Sequence, residues 1–243
     1  MEQFIQEISA SFQKTFITDD RWFKLVKGLG ATLEITLFAT ILGILLGFVV
    51  AIIRSSYDLT RPNRVRKSFG DVVLGFFNAL CNIYITVIRG TPVVIQLMIM
   101  YYVIFASSRN GMIAAILAFG INSGAYVAEI VRGGIMAIDN GQFEASRSLG
   151  FDYVSTMIYV ILPQTFKNVL PALGNEFIVL LKETSVAGYV ALQDLTYIGN
   201  LIRSRTYEAF FPLITVAVIY LIIVVGLTYL LRRLERRLRK SEQ

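Results

Sequence analysis

Histidine is absent from the 243-residue chain, and cysteine occurs once, as Cys81. A lone cysteine excludes a disulfide within the chain. Without histidine and with one thiol, the usual donor sets for protein-held zinc or haem are missing, so neither a metal site nor a cofactor is expected. No Ser-His or paired-acid constellation suggests a catalytic residue, and the chain does not read as an enzyme. The phosphate loop G-x-x-x-x-G-K-[ST] is also missing, which excludes ATP hydrolysis by that route. Charge is scarce, at 16% of residues. Residues 1–30 alternate charged and apolar positions with no uninterrupted apolar core, so no cleavable signal peptide is expected.

What is present is apolar. Hydrophobic residues make up 55% of the chain, and the mean hydropathy is +0.62. A soluble domain of this length needs more polar surface, so the composition indicates an all-α, multi-span membrane protein with lipid as its solvent. The net charge is +6. Six basic residues between Arg232 and Lys240 follow an apolar run directly, which reads as a cytoplasmic flank; no nucleic-acid partner is expected.

A helix crosses the hydrocarbon with about 20 apolar residues. Residues 31–53 carry only Glu34, residues 209–231 carry no charge, and residues 111–131 carry only Glu129. A further span is expected within 82–107, leaving 60–81 in cytoplasm or at the interface. The stretch 153–190 is apolar but interrupted by Pro163, Lys167, Pro171 and Glu176, and reads as a short helix followed by a span over 168–190. The whole chain, 1–243, is thus read as one domain with five transmembrane helices. Arg54, Arg61, Arg64, Arg66 and Lys67 follow the first span, Arg132 and Arg147 sit in the 132–155 loop, and the basic tail follows the fifth. Alternating spans put these three segments on one side, so the N-terminus is expected outside and the C-terminus in the cytoplasm. Gly43 and Gly47 form a G-x-x-x-G pair, which is either a close helix contact or the ordinary glycine richness of membrane helices.

The 139–150 segment, "DNGQFEASRSLG", is expected to form a short cytoplasmic helix, capped by Asp139 or Asn140 and stopped at Gly150. It has few residues of its own to pack against. From physics alone it is either an interfacial helix on lipid headgroups or a knob for a cytoplasmic partner.

The same stretch resembles a loop of the permease subunits of ATP-binding-cassette importers, written E-A-A-x3-G-x9-I-x-L-P. Here Glu144-Ala145-Ser146 is followed by three residues, Gly150, nine residues and Val160-Ile161-Leu162-Pro163. The segments "IRGTPVVIQL" (88–97), "AYVAEIVRGGI" (125–135) and "VLPALGNEFIVLLKETS" (169–185) are similar to the polar amino acid uptake branch, the histidine-, arginine- and glutamine-type permeases. The stretch 55–71 departs from that pattern by its length. The resemblance implies a type I importer permease fold in the bacterial cytoplasmic membrane, with a coupling helix at about 139–150. Glu144, Ala145 and Gly150 would dock ATPase subunits. Further implied partners are a second permease subunit, identical or related, an extracytoplasmic amino-acid-binding protein and an amino acid substrate.

Ionisable groups inside spans are costly and by default functional. Glu176 and Glu183 lie two turns apart on one expected helix, roughly 10 Å along one face. In the family it resembles, acidic residues at these positions line the substrate site of basic amino acid importers; the second is often aspartate, one methylene shorter than Glu183. Either carboxylate could pair with an ammonium group. Equally, Glu183 and Lys182 could lie at the outer interface, and Glu176 could be neutral or paired with a neighbouring cation. Asn175, Gln96 and Arg89 are further candidate substrate contacts. Arg89 could instead mark the cytoplasmic boundary or pair with Glu129. A stand-alone channel or secondary transporter using Glu176 and Glu183 is the alternative function, although no internal repeat supports it.

Overall fold

The computed structural model describes residues 1, 6, 9–60, 68–107 and 110–239; within the 55–71 stretch, residues 61–67 lie outside them, as does the end of the basic tail. All regular structure among the described residues is helical. In hydrocarbon every backbone N–H and C=O needs an internal partner, and a helix supplies one within its own segment.

The long helix α1, Arg21–Thr60, contains the 31–53 run and extends past both its ends. Thr32 and Thr36 face inward and return their hydroxyls to the carbonyls of Gly28 and Thr32, at 3.1 and 2.7 Å. Helix α2, Phe69–Arg89, starts where the Ser68 N–H donates to the Asp71 carboxylate at 3.0 Å. It ends as the Gly90 N–H closes on the Thr86 carbonyl at 3.0 Å. Pro92 cannot continue the ladder and restricts Thr91, so a new helix, α3, Val93–Ile99, begins after it and runs into a π turn, Met100–Ile104.

The stretch 82–107 therefore holds the end of α2, a break at 90–92, and α3 with its π turn rather than a single helix, and Phe69–Arg89 is by length and composition long and apolar enough to cross a membrane. The same holds among the described residues for the helix containing α1, for α4 (Gly111–Met136) and for α9, Phe210–Arg239, over its stretch Phe210–Leu238.

Helix α5, Asn140–Ser148, is capped by the Asp139 carboxylate, which accepts from the Gly141 N–H at 2.7 Å. Gly150 stops it with φ +89°, a left-handed conformation that L side chains resist. Asp152 caps a single turn, α6 (Tyr153–Thr156), by accepting from the Ser155 N–H at 2.8 Å; a π turn over Met157–Ile161 then leads into α7, Leu162–Glu183. The expected 168–190 span is therefore an α-helix that starts earlier, at Leu162, and tightens into a 3-10 segment over Thr184–Val190. Helix α8, Leu195–Thr206, follows.

The chain forms two compact units. The first comprises 1–39, 93–119 and 178–229. One of its apolar clusters gathers Ile35, Leu97, Phe119 and Leu180, and another gathers Leu25, Leu195, Ile198 and Ile202. Here Asp194, fully buried, caps α8 by accepting the N–H groups of Thr196 and Tyr197, both at 3.0 Å. The Leu195 N–H donates to Thr32 on α1 at 3.1 Å. Burial pushes the Asp194 carboxyl up to about 6.

The second unit comprises 40–92, 120–177 and 230–243. Val127, Val131, Ile135 and Ile161 centre one cluster, and Val50, Cys81, Ala125 and Ala128 another. Gly43 and Gly47 lie against α4: a Cβ on Gly43 would come 3.0 Å from the Ser123 Cβ, and one on Gly47 would come 2.5 Å from the Val127 Cγ1. The G-x-x-x-G pair is a close helix contact.

Gly47→Ala should therefore lower the thermal unfolding midpoint of the detergent-solubilised protein, overpacking of this kind costing about 1–3 kcal/mol. Gly226→Ala, at a site with nothing within 4 Å of the added methyl, should leave the midpoint unchanged or raise it. Equal effects of the two would refute the contact.

Asp194 generates a second expectation. Its folded pKa exceeds the ordinary aspartate value near 4, so the folded state holds the proton more tightly. Ionisation thus costs stability above about pH 6, and that cost is relieved as pH falls from about 6 towards about 4. Asp194→Asn keeps the cap and removes the titration. Between pH 7 and pH 5 the wild-type midpoint should gain relative to the variant's; parallel pH profiles would contradict the assignment.

Candidate functional site

The polar groups of the second unit are organised by α4. Ser123, Tyr126, Glu129 and Arg132 recur every third residue along it. Three residues turn a helix through about 300°, so this stripe winds slowly around α4 and meets different neighbours in succession.

Ser123, fully buried, donates its hydroxyl to the Glu176 Oε1 on α7 at 2.9 Å. Tyr126 lies beneath the Arg89 guanidinium at the end of α2, 5.1 Å from the ring centroid, a cation–π contact. Glu129 pairs with Arg54 on α1 and, at 3.2 Å, with Arg132 one turn along α4. Arg132 reaches Asp58 on α1 at 3.3 Å. The Glu129 ion pairs thus go to Arg54 and Arg132, and Arg89 stacks on Tyr126.

Of the predicted substrate residues, Glu176 and Arg89 are brought to the same helix, α4, through Ser123 and Tyr126. Glu176 is half-buried, and its neighbour Asn175 is exposed. Glu183 closes α7 half-buried, while Lys182 beside it is exposed; both, like the half-buried Gln96 on α3, belong to the first unit. Sequence reasoning missed Ser123. The signal was the run Asn122-Ser123-Gly124 in the middle of an apolar span, where polar side chains need a reason to be.

Glu144 and Ala145 are exposed on α5, and Gly150 is exposed just past its end. Phe143 packs toward the apolar cluster of the unit, and Ser146, buried, returns its hydroxyl to the Gln142 carbonyl at 2.7 Å. The helix is therefore anchored by one face and offers Glu144 and Arg147 to solvent. A cavity of about 470 Å³ beside it is walled by Asp58, Met136, Phe143, Glu144, Arg147 and Tyr153. No cluster of three or more potential metal ligands occurs among the described residues.

The model of the family described as "binding-protein-dependent transport system inner membrane component" matches residues 72–240. The arginine transport system permease protein ArtQ of Bacillus subtilis (strain 168) is 36% identical over 221 residues, covering 90% of this chain and 94% of the relative. The glutamine transport system permease protein GlnP of Escherichia coli (strain K12) is 36% identical over 210 residues, covering 85% and 90%. The crystal structure of an amino acid ABC transporter with histidines contains a similar chain, with a TM-score of 0.76 and 39% identity, covering 88% of this chain and 94% of that one. A chain of the MetNI methionine ABC transporter, in an inward-facing conformation, has the same TM-score at 23% identity, over 91% and 99%, and so shares the fold.

Proposed function

Because this chain belongs to the family of binding-protein-dependent transport system inner membrane components, we propose that it is the permease subunit of an ATP-driven importer of a polar, basic amino acid. Members of this family are membrane subunits without catalytic activity of their own. In this reading the chain crosses the membrane five times, the second crossing falling within the apolar stretch 69–107. The N-terminus lies outside, and the C-terminus with its basic tail lies in the cytoplasm. Two permease subunits enclose the path, ATPase subunits hydrolyse ATP, and an extracytoplasmic binding protein delivers the amino acid. Family membership removes the footing of a stand-alone channel.

The observation that carries the coupling part is α5: a short polar helix, anchored by Phe143 and Ser146, that presents Glu144 and Ala145 outward and ends at Gly150. Glu144→Lys should reduce co-purification of the ATPase subunit and abolish uptake of labelled amino acid into vesicles, leaving the unfolding midpoint of the permease in place. Undiminished ATPase binding and uptake would overturn the docking role.

The substrate charge rests on Glu176. A partly buried carboxylate attracts a cation with less screening than at a water-exposed surface. The Ser123 hydroxyl orients it, and the relatives named for arginine and glutamine have polar substrates. Asn175 and Arg89, in the same unit as Glu176, are proposed as further substrate contacts; Glu183 and Gln96, in the other unit, are each proposed as a substrate contact by themselves. Glu176→Gln keeps the shape and removes the charge. A lost charge-assisted hydrogen bond costs about 1.5–3 kcal/mol, so half-saturation of amino-acid-stimulated ATPase activity should rise about ten- to a hundredfold. An unchanged half-saturation for every amino acid would remove Glu176 from the site, and a wild-type preference for glutamate or aspartate would shift attention to Arg89.

A further inference from the structure

We propose that Asp58 is a positioning residue for coupling: through the ladder Asp58–Arg132–Glu129–Arg54 it makes the cytoplasmic ends of α1 and α4 follow the movement of α5. The proposal rests on the importer reading.

The ladder joins two helices by charges alone. Arg54 and Asp58 are one turn apart on α1, and Glu129 and Arg132 one turn apart on α4. Opposite signs alternate along the ladder: Arg54 pairs with Glu129 across the gap, Glu129 with Arg132 along α4 at 3.2 Å, and Arg132 with Asp58 back across the gap at 3.3 Å. Two cations and two carboxylates cancel, so the cluster is neutral as a whole and can persist at a partly buried helix end. Isolated surface ion pairs contribute little, but a chain of four sharing partners must rearrange together.

Its end is what assigns the role. Asp58 is both the last rung and a wall of the cavity beside α5, which Glu144 and Arg147 also line. Two residues earlier on α1, Ser56 lies 3.1 Å from the Tyr153 hydroxyl, which belongs to the segment directly after α5. The last turns of α1 are thus tied to α4 through Arg132 and to the segment after α5 through Tyr153. In the proposal a displaced α5–α6 segment pulls the end of α1 through the Tyr153–Ser56 hydrogen bond, and Asp58 passes that displacement to Arg132 or the Asp58–Arg132 pair breaks. In the first case α1 and α4 move as one body; in the second the motion stops at α1.

The test uses the complete complex in vesicles: this chain, its second permease subunit, the ATPase subunits and the extracytoplasmic binding protein, with labelled arginine or glutamine. Uptake per ATP hydrolysed is measured for wild type, Asp58→Asn, Asp58→Glu, Arg132→Gln and the double variant Asp58→Asn/Arg132→Gln. Asp58→Asn should lower uptake per ATP by about fivefold or more, while ATPase hydrolysis continues and the ATPase subunit co-purifies. Asp58→Glu should restore most of the ratio, and the double variant should be no worse than the poorer single one. Wild-type ratios in Asp58→Asn, additive losses in the double variant, or a defect in Asp58→Asn that appears only as loss of the ATPase subunit or of the folded permease would each overturn the role. Absence of amino-acid uptake in the wild-type complex would instead sink the importer reading, and this inference with it.

Discussion

A charged or hydrogen-bonding side chain among apolar helices must find its partner inside the protein, and α4 is where the second unit meets that requirement. Ser123, Tyr126, Glu129 and Arg132 form one winding stripe, and each is answered from another helix: Glu176 on α7, Arg89 on α2, Arg54 and Asp58 on α1. The stripe depends in turn on proximity. Gly43 and Gly47 let α1 approach α4 to distances at which a methyl group would collide with Ser123 and Val127. Polar pairing and glycine packing are therefore one device: the glycines bring the backbones together, and the stripe fixes which turn of α1 faces which turn of α4.

Much of this was legible in residue order. The apolar runs at 31–53 and 111–131 lie within long helices, and the run at 209–231 does so from Phe210 on, because a run of that length satisfies its backbone in lipid as a helix. A helix stands at Asn140–Ser148 with an aspartate ahead of it and a glycine after it, as cap chemistry requires. The helix break inside the expected span 82–107 has a local reason. Hydropathy runs smoothly through "RGTP", whereas the helix does not, since Pro92 has no N–H to give and Gly90 closes the preceding turn. The start of α2 was passed over for a different reason: the apolar stretch after the basic 61–67 segment is too long for one span and the expected span was placed in its later part, whereas Ser68 and Asp71 cap a helix at its beginning.

The candidate site was less legible. Glu176 stood out because a carboxylate in an apolar run is conspicuous, but its partner did not, because serine is common in membrane helices and Ser123 is distant in sequence. Arg89 was weighed against Glu129, the more obvious charge partner. Pairwise sequence logic cannot see that Glu129 is already engaged from two sides, by Arg54 and Arg132, or that an aromatic face would meet the guanidinium. The four-residue ladder is invisible to periodicity because its members come from two helices about 75 residues apart in sequence, a separation the Arg54–Glu129 pair spans.

The stripe also arranges the two proposed tasks along a single helix. Its earlier part, at Ser123, orients the carboxylate proposed to meet substrate, and its later part, at Arg132, holds the residue proposed to follow α5. Ser123 and Arg132 are nine residues apart, about 13 Å along α4. A rigid helix of that length transmits a tilt or rotation without any intermediate rearrangement, so the two ends need no chain of switching contacts between them. What α4 requires is that its packing on α1 hold while α5 moves, and the close approach at Gly43 and Gly47 is continued by the ion pairs at the end of α1. In this arrangement Asp58 and the glycine pair act on the same degree of freedom, the registration of α1 on α4, one by charge and the other by shape.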